Sequence, residues 1–366
     1  MSRRPASVTF CKKFCCESQE NCLTCIKTGQ HRDRIMGGLY TESFLERLRA
    51  GAMALAGEWG LSGRTEVSLL TISENATFRA DDPEREAPVI LRVHRPGYHT
   101  RAEIESELAW IEALRAENVL PTPAPLPCRS GGHVAGFDLD GERRDVVAFA
   151  FMSGREPLPE EDLEEGFREL GEISARLHAH VRRWTRPAGF VRKTWDFDTT
   201  VGRRPHWGDW RAALGLREPG RKLLERATVE LERRLAEIGT GPEVFGLIHA
   251  DLRLANLLID SGRIAVIDFD DCGFGWFLFD FAAAISFFET DPAIPGLQAA
   301  WLDGYRSVAE LPVTAEMQME TFIMLRRLQL TAWIASHAET PTAQEMGAGF
   351  TDGTLAIAER FLSGRS

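Results

Sequence analysis

Residues 246–271 read GLIHADLRLANLLIDSGRIAVIDFDD, a stretch that carries a dense set of groups able to do chemistry. His249, Asp251 and Asn256 follow the spacing H-x-D-x-x-x-x-N, and Asp268 and Asp270 follow the apolar run IAVI. Phosphoryl transfer asks a protein for a carboxylate that orients and deprotonates the acceptor hydroxyl, and for oxygen ligands to a magnesium ion. An Asp and an Asn five positions apart, with a further Asp just past a buried strand, supply that set. Taken singly, each is also a common turn residue. Together they form a set that an ordinary loop has no reason to assemble.

These groups need elements to hold them. FGLIH and IAVIDF read as short buried strands, with Asp260-Ser261-Gly262 as the turn between them. Upstream, Thr41 is an N-cap candidate for a helix with Phe44, Leu45, Leu48 and Met53 on its apolar side. EVSLLTISENATFRADD and APVILRVHR read as two strands separated by a charged turn at 81–86. A helix is expected over 101–115, with Ile104, Leu108, Ile111 and Leu114 in a stripe. The run PTPAPLP at 121–127 is extended by constraint, and two more strands, around 133–139 and 145–152, flank Asp140-Gly141. Beyond Ser153-Gly154 helical patterns dominate, over 161–183, 217–238 and much of the chain after 280. The implied fold class is α+β and bilobal: a small antiparallel β lobe (36–153), a hinge near Gly154, and a larger, mainly helical lobe (154–366).

HADLRLAN and IDFDD resemble the catalytic loop and metal-binding segment of the aminoglycoside phosphotransferase and homoserine kinase-like superfamily, which has a protein kinase-like fold. Asp280-Phe281-Ala282 resembles that family's usual D-L-A, and the closest tone is the branch with type II homoserine kinases and bacterial stress-response serine/threonine kinases. The resemblance implies ATP and Mg2+ as cofactors, Asp251 as catalytic base, and Asn256 and Asp268 as metal ligands. It gives His249 the support of the loop and Asp280 the bracing of it. Arg253 either meets a phosphate or pairs with a surface carboxylate. Asp270, where protein kinases carry a glycine, either adds a metal oxygen or caps the next turn. Arg92 stands where the family usually has a lysine, with Glu107 as its matching helix carboxylate and Glu103 and Glu105 as competitors. Arginine keeps the charge and pairs bidentately, but it is larger. Ser73, Asn75 and Thr77, with Glu74, stand in place of a glycine-rich phosphate loop, and AFAFMSG in place of the hinge that reads adenine.

Few residues follow Asp268 before the helix near Asp280, which favours a small-molecule hydroxyl acceptor such as an amino alcohol over a protein serine or threonine. The alternative is a nucleotide-binding pseudokinase regulator, for which Arg92 is the supporting feature. At 190–210, Trp195, Asp196, Asp198, His206 and Trp207 either line an acceptor pocket or anchor an irregular segment, the tryptophans favouring anchoring. Trp333 and His337, on a further helical pattern, suit core packing or the acceptor mouth.

A net charge of -11 over 366 residues argues against nucleic acid as a partner. Mean hydropathy is -0.20, and no apolar run approaches the roughly 20 residues of a membrane span. The start, MSRRPASVTFCKKFCC, lacks the apolar core of a secretory signal, so a cytoplasmic location is expected. Five of the 7 cysteines (Cys11, Cys15, Cys16, Cys22, Cys25) lie in a segment, 1–35, that either holds zinc, carries no site, or precedes a natural start at Met36.

Overall fold

A computed structural model describes residues 41–72, 75–157, 163–338 and 340–364. The N-terminal cysteines and Ser73 lie outside them. Helix α1 (Glu42–Ala54) begins at Thr41, whose side chain accepts a hydrogen bond from the Phe44 amide. Leu48 and Ala52 are its buried residues, whereas Met53, expected on that face, is exposed. The segment read as one long strand is two, β1 (Glu66–Ile72) and β2 (Ala76–Asp81), with Ile72 paired to Ala76. Glu74, like Ser73, lies outside the described residues, and Asn75 directly precedes β2.

Strands β3 (Val89–Val93), β4 (Val134–Leu139) and β5 (Glu142–Ala150) complete an antiparallel sheet in the order β1-β2-β3-β5-β4. Asp140 and Gly141, at φ 55° and 82°, make the tight turn between β4 and β5. One face of this sheet, with Phe78, Leu91, Val93, Val146 and Ala148, packs on α1 as a core of its own. The opposite face presents Thr77 and Arg92, register partners on β2 and β3, and Val147 opposite Arg92 on β5. Helix α2 (Arg101–Ala116) starts with a capping box between Thr100 and Glu103, and all four residues of its expected stripe are buried.

The chain passes into the helical lobe through Gly154, at φ 139°. There Arg155 exchanges backbone hydrogen bonds with Ile259, and a Cβ on Gly154 would lie 3.2 Å from the Ile259 carbonyl. Helices α3 (Leu163–Arg183), α4 (Phe197–Thr200), α5 (Glu218–Ile238), α6 (Phe279–Ala284), α7 (Ile294–Val308), α8 (Ala315–Ser336) and α9 (Pro341–Ser363) build this lobe. Helices α3 and α7 touch backbone to backbone, because Gly171 and Gly304 present no side chain at the crossing.

Two short antiparallel strand pairs are nested within the helices. Strand β7 (Leu257–Asp260) pairs with β8 (Arg263–Val266), and β6 (Phe245–Ile248) pairs with β9 (Gly273–Trp276). FGLI and IAV are thus strands of different pairs rather than the two arms of one. Strand β9 escapes a reading by apolar content because Gly273 and Gly275 occupy it. Their missing Cβ atoms let it lie against Trp195 and Ile248. No helix among the described residues is long and apolar enough to cross a membrane.

Candidate active site

The loop between β6 and β7 is fixed from beneath by Asp280, a fully buried residue of α6. Its Oδ1 accepts the Ala250 amide at 2.8 Å, and its Oδ2 accepts the His249 amide at 3.3 Å and His178 Nε2 at 3.0 Å. His178 Nδ1 then takes the Tyr305 hydroxyl at 3.1 Å. Ala250 can therefore hold φ 66°, a conformation costly for a residue with a Cβ. His249 is buried and bonded at both ring nitrogens. Nε2 donates to the Ile267 carbonyl at 3.2 Å, and Nδ1 accepts the Asp251 amide at 3.3 Å. Burial holds its pKa below the ordinary histidine value, and it joins the end of β6 to the end of β8 through the Ile267 carbonyl.

Asp251 is the centre of the loop. Arg253 Nε meets both its carboxylate oxygens at 3.0 Å, Arg326 Nη2 meets Oδ1 at 2.7 Å, and Asn256 Nδ2 meets Oδ2 at 2.9 Å. Burial pushes this carboxyl up, but Arg253 and Arg326 outweigh it and hold it below the usual carboxylate range. Arg253 thus pairs with Asp251 itself, and not with a surface acid. Arg326 was not legible as a site residue, because it lies 75 positions away within the buried face of α8. There it also binds Ser286 and Gln329 and sits over the Trp207 ring. Since Asn256 spends its amide hydrogens on the Asp251 carboxylate and backbone carbonyl, its Oδ1 is the atom left to offer.

Asp268 stands at φ 60° where β8 runs out, with half its side chain open to the cleft and Arg92 Nη1 3.5 Å away. Desolvation, opposed by Arg92 and reinforced by Asp270, Asp251 and Glu107, raises its pKa to about 6. Asn256 Oδ1 and this carboxylate are hard oxygen donors of the kind a magnesium ion takes. Asp270 is differently placed. It is buried, with His94 Nδ1 3.5 Å from Oδ1, His99 Nε2 3.4 Å from Oδ2, and Arg92 Nη2 at 3.9 Å. Burial raises its pKa, yet Arg92 and the histidines win and hold it well below the usual range. Its Oδ1 has no hydrogen-bond partner, and with His99 and Asp271 it forms a group whose ligand atoms lie within 4.8 Å of one another, a set that could hold a metal ion.

Arg92 and Glu107 meet as expected. Arg92 Nη2 lies 2.7 and 2.6 Å from the two oxygens of Glu107, which is fully buried. Glu103 is taken by Thr100 and Glu105 by Arg101. Burial works against the charge on Arg92, but Glu107, Asp270 and Asp268 raise its pKa further still. Its Nε has no hydrogen-bond partner. Thr77 shares the cleft face with Arg92, whereas Asn75 is occupied by the Arg95 amide at 3.1 Å. Trp195 and Trp210 are buried anchors, and Asp196 caps α4. Trp333 packs against the core and stacks on His337. Asp271, not singled out in the sequence, is half-buried and takes a hydrogen bond from the Tyr98 hydroxyl. Burial, then Asp251 and Asp270, push it up to about 8.

A five-stranded antiparallel sheet set over a helical lobe, with carboxylates gathered at the loops between them, is the fold of a kinase-like protein. The chain belongs to the phosphotransferase enzyme family APH, whose model matches residues 69–311. It is similar to a microcompartment-associated aminopropanol kinase of known structure: 45% identity, TM-score 0.79, covering 85% of this chain and 97% of that one. It is 25% identical over 312 residues to the amicoumacin kinase of Bacillus subtilis (strain 168), covering 81% of this chain and 88% of that protein. The amicoumacin kinase hAmiN, solved with AMP-PNP, Ca2+ and Ami, shares the fold at 20% identity and TM-score 0.70, covering 87% of this chain and 94% of that one. The chain is an ATP-dependent kinase acting on a hydroxyl.

Proposed function

We propose that this kinase moves the γ-phosphoryl group of ATP, with Mg2+, onto the hydroxyl of a small amino alcohol. The observation that carries the acceptor class is the 45% identity with the aminopropanol kinase over nearly the whole of that chain. The geometry supplies the chemistry. The acceptor hydroxyl donates its hydrogen to the Asp251 carboxylate in place of the Arg253 contact, while Arg326 and Asn256 hold that carboxylate ionised and in one orientation. The hydroxyl oxygen then bonds to the γ-phosphorus as the bond to the β–γ bridging oxygen breaks, and the proton passes to Asp251. A carboxylate held at low pKa is a weak base. That suits a loose transition state, in which the hydroxyl becomes acidic only once the new bond is forming. Asn256 Oδ1 and Asp268 would hold the magnesium ion, which when bound neutralises phosphate charge. Arg92, held by Glu107, brings Nη1 to 3.5 Å from Asp268 at the sheet side of the cleft, where it would meet the phosphates, with Thr77 beside it.

A nucleotide-binding regulator rested on Arg92 alone, and that residue has the partners a catalytic strand cation needs. A protein acceptor has no observation in its favour. The test is ADP release over a panel of amino alcohols, amino sugars and protein mixtures, with Asp251→Asn as control. Turnover of amino alcohols is expected, falling about 100- to 10,000-fold in the variant, while ATP still raises the melting temperature. Turnover confined to other acceptors would refute the acceptor class. Turnover undiminished in Asp251→Asn would refute the base.

A further inference from the structure

Four carboxylates gather at the cleft, and three of them have a cation within ion-pair distance. Arg253 and Arg326 meet Asp251, and Arg92 meets Asp268 and Asp270. Asp271 has none among the described residues. The nearby cations are committed elsewhere: Arg253 and Arg326 to Asp251, and Lys193 to the Tyr98 carbonyl and, at 2.8 Å, to His99 Nδ1.

What Asp271 does have is a neutral, rigid frame. Trp195 Nε1 donates to its backbone carbonyl at 2.8 Å, and the Tyr98 hydroxyl donates to its Oδ1. Trp207 Nε1 donates to that same hydroxyl at 2.9 Å. An indole can only donate, so the Tyr98 proton is directed at Asp271, which is oriented by neutral groups alone. The frame continues to the base. The Arg326 guanidinium lies 5.1 Å from the centre of the Trp207 ring, and its Nη2 is 2.7 Å from Asp251 Oδ1. Asp271, Tyr98, Trp207, Arg326 and Asp251 thus form one connected wall, with a cation-less carboxylate at one end and the catalytic carboxylate at the other.

We propose that Asp271 receives the ammonium group of the acceptor and so selects an amino alcohol over a neutral alcohol. This rests on the acceptor class proposed above. Burial beside Asp251 and Asp270 keeps the proton on Asp271 up to about pH 8, and an incoming ammonium supplies the missing counter-ion and lets that proton leave. In an amino alcohol with nitrogen and oxygen on adjacent carbons, seating the ammonium on Asp271 turns the hydroxyl towards Asp251. Binding energy at the remote group is thereby spent on orientation at the reacting one.

The test is steady-state kinetics of the full chain with 1-amino-2-propanol and with 1,2-propanediol, its neutral counterpart. In Asp271→Asn the KM for the amino alcohol is expected to rise about 10- to 100-fold, as for loss of one charge-assisted hydrogen bond. The preference for amine over diol, as a ratio of kcat/KM values, should fall by the same factor. An equal effect on both substrates, or none on either, overturns the assignment of Asp271. Wild-type enzyme that turns over other acceptors but no amino alcohol overturns the acceptor class, and this inference with it. Should Asp271→Asn fail to fold, Tyr98→Phe keeps the carboxylate but releases its Oδ1. A KM that shifts for the amine more than for the diol supports the proposal, and an equal shift overturns it.

Discussion

Replacing Arg92 by methionine leaves Glu107 buried and without its cation, since the side chain of Glu107 has no exposed surface and that of Arg92 only 7%. Removing one partner of such a pair costs about 3–5 kcal/mol of stability. Glu107→Met should cost a comparable amount, because Arg92 is then left buried against Phe149 with only Asp268 and Asp270 nearby, at 3.5 and 3.9 Å. The double variant removes both charges together, and a buried pair exchanged for apolar side chains is often close to neutral. Its stability should therefore recover most of the loss. Catalysis should not recover. The guanidinium edge that faces Asp268 and the cleft is gone in Arg92→Met and in the double variant alike. Losing one charge-assisted contact of about 1.5–3 kcal/mol lowers kcat/KM for ATP about 10- to 150-fold. Urea-unfolding midpoints and ATP-dependent kinetics on the three variants separate the two roles. A double variant with wild-type kinetics for ATP would show that Arg92 serves the fold alone, and the placement of the phosphates beneath β3 would be refuted.

Asp268 is held up at about 6, so metal binding to the nucleotide-free protein should weaken as pH falls through 6, where a carboxylate at its ordinary value would hold until about 4. Mn2+ titration followed by EPR between pH 5 and 7.5 reads this directly; a flat profile, or one unchanged in Asp268→Asn, removes Asp268 from the metal site. At the crossing of α3 and α7, a Cβ on Gly171 would lie 2.0 Å from the Trp301 carbonyl. Gly171→Ala should lower the melting midpoint by several degrees, as an overpacked contact between two backbones costs about 1–3 kcal/mol or more, and a wild-type midpoint would contradict the close approach.

How much was legible varies along the chain for physical reasons. Helix α2 could be read because its capping residue and its apolar stripe are both local, and every residue of the stripe is buried. The long strand expected before Asp81 was in fact a hairpin, since residue types alone do not say whether a polar trio is a bulge or a reversal. Strand β9 was missed because its two glycines look like turn residues. Their use, a close approach to Trp195 and Ile248, depends on partners remote in sequence.

The sequence by itself determined the reaction type, because the groups proposed as base and metal ligands sit on one short stretch, and a short stretch keeps its spacing in the primary structure. The family resemblance carried by its motifs also paired Arg92 with Glu107, and the two side chains meet. The tertiary structure alone decided what surrounds those groups. Arg326 reaches Asp251 from α8, and Asp270 is enclosed by His94 and His99 from the sheet lobe. Asp271 is framed by Tyr98 from one lobe and Trp207 from the other. Charge and burial act through space, so the electrostatic state of a carboxylate depends on the folded chain around it, and the spacing of residues along the sequence does not carry that information.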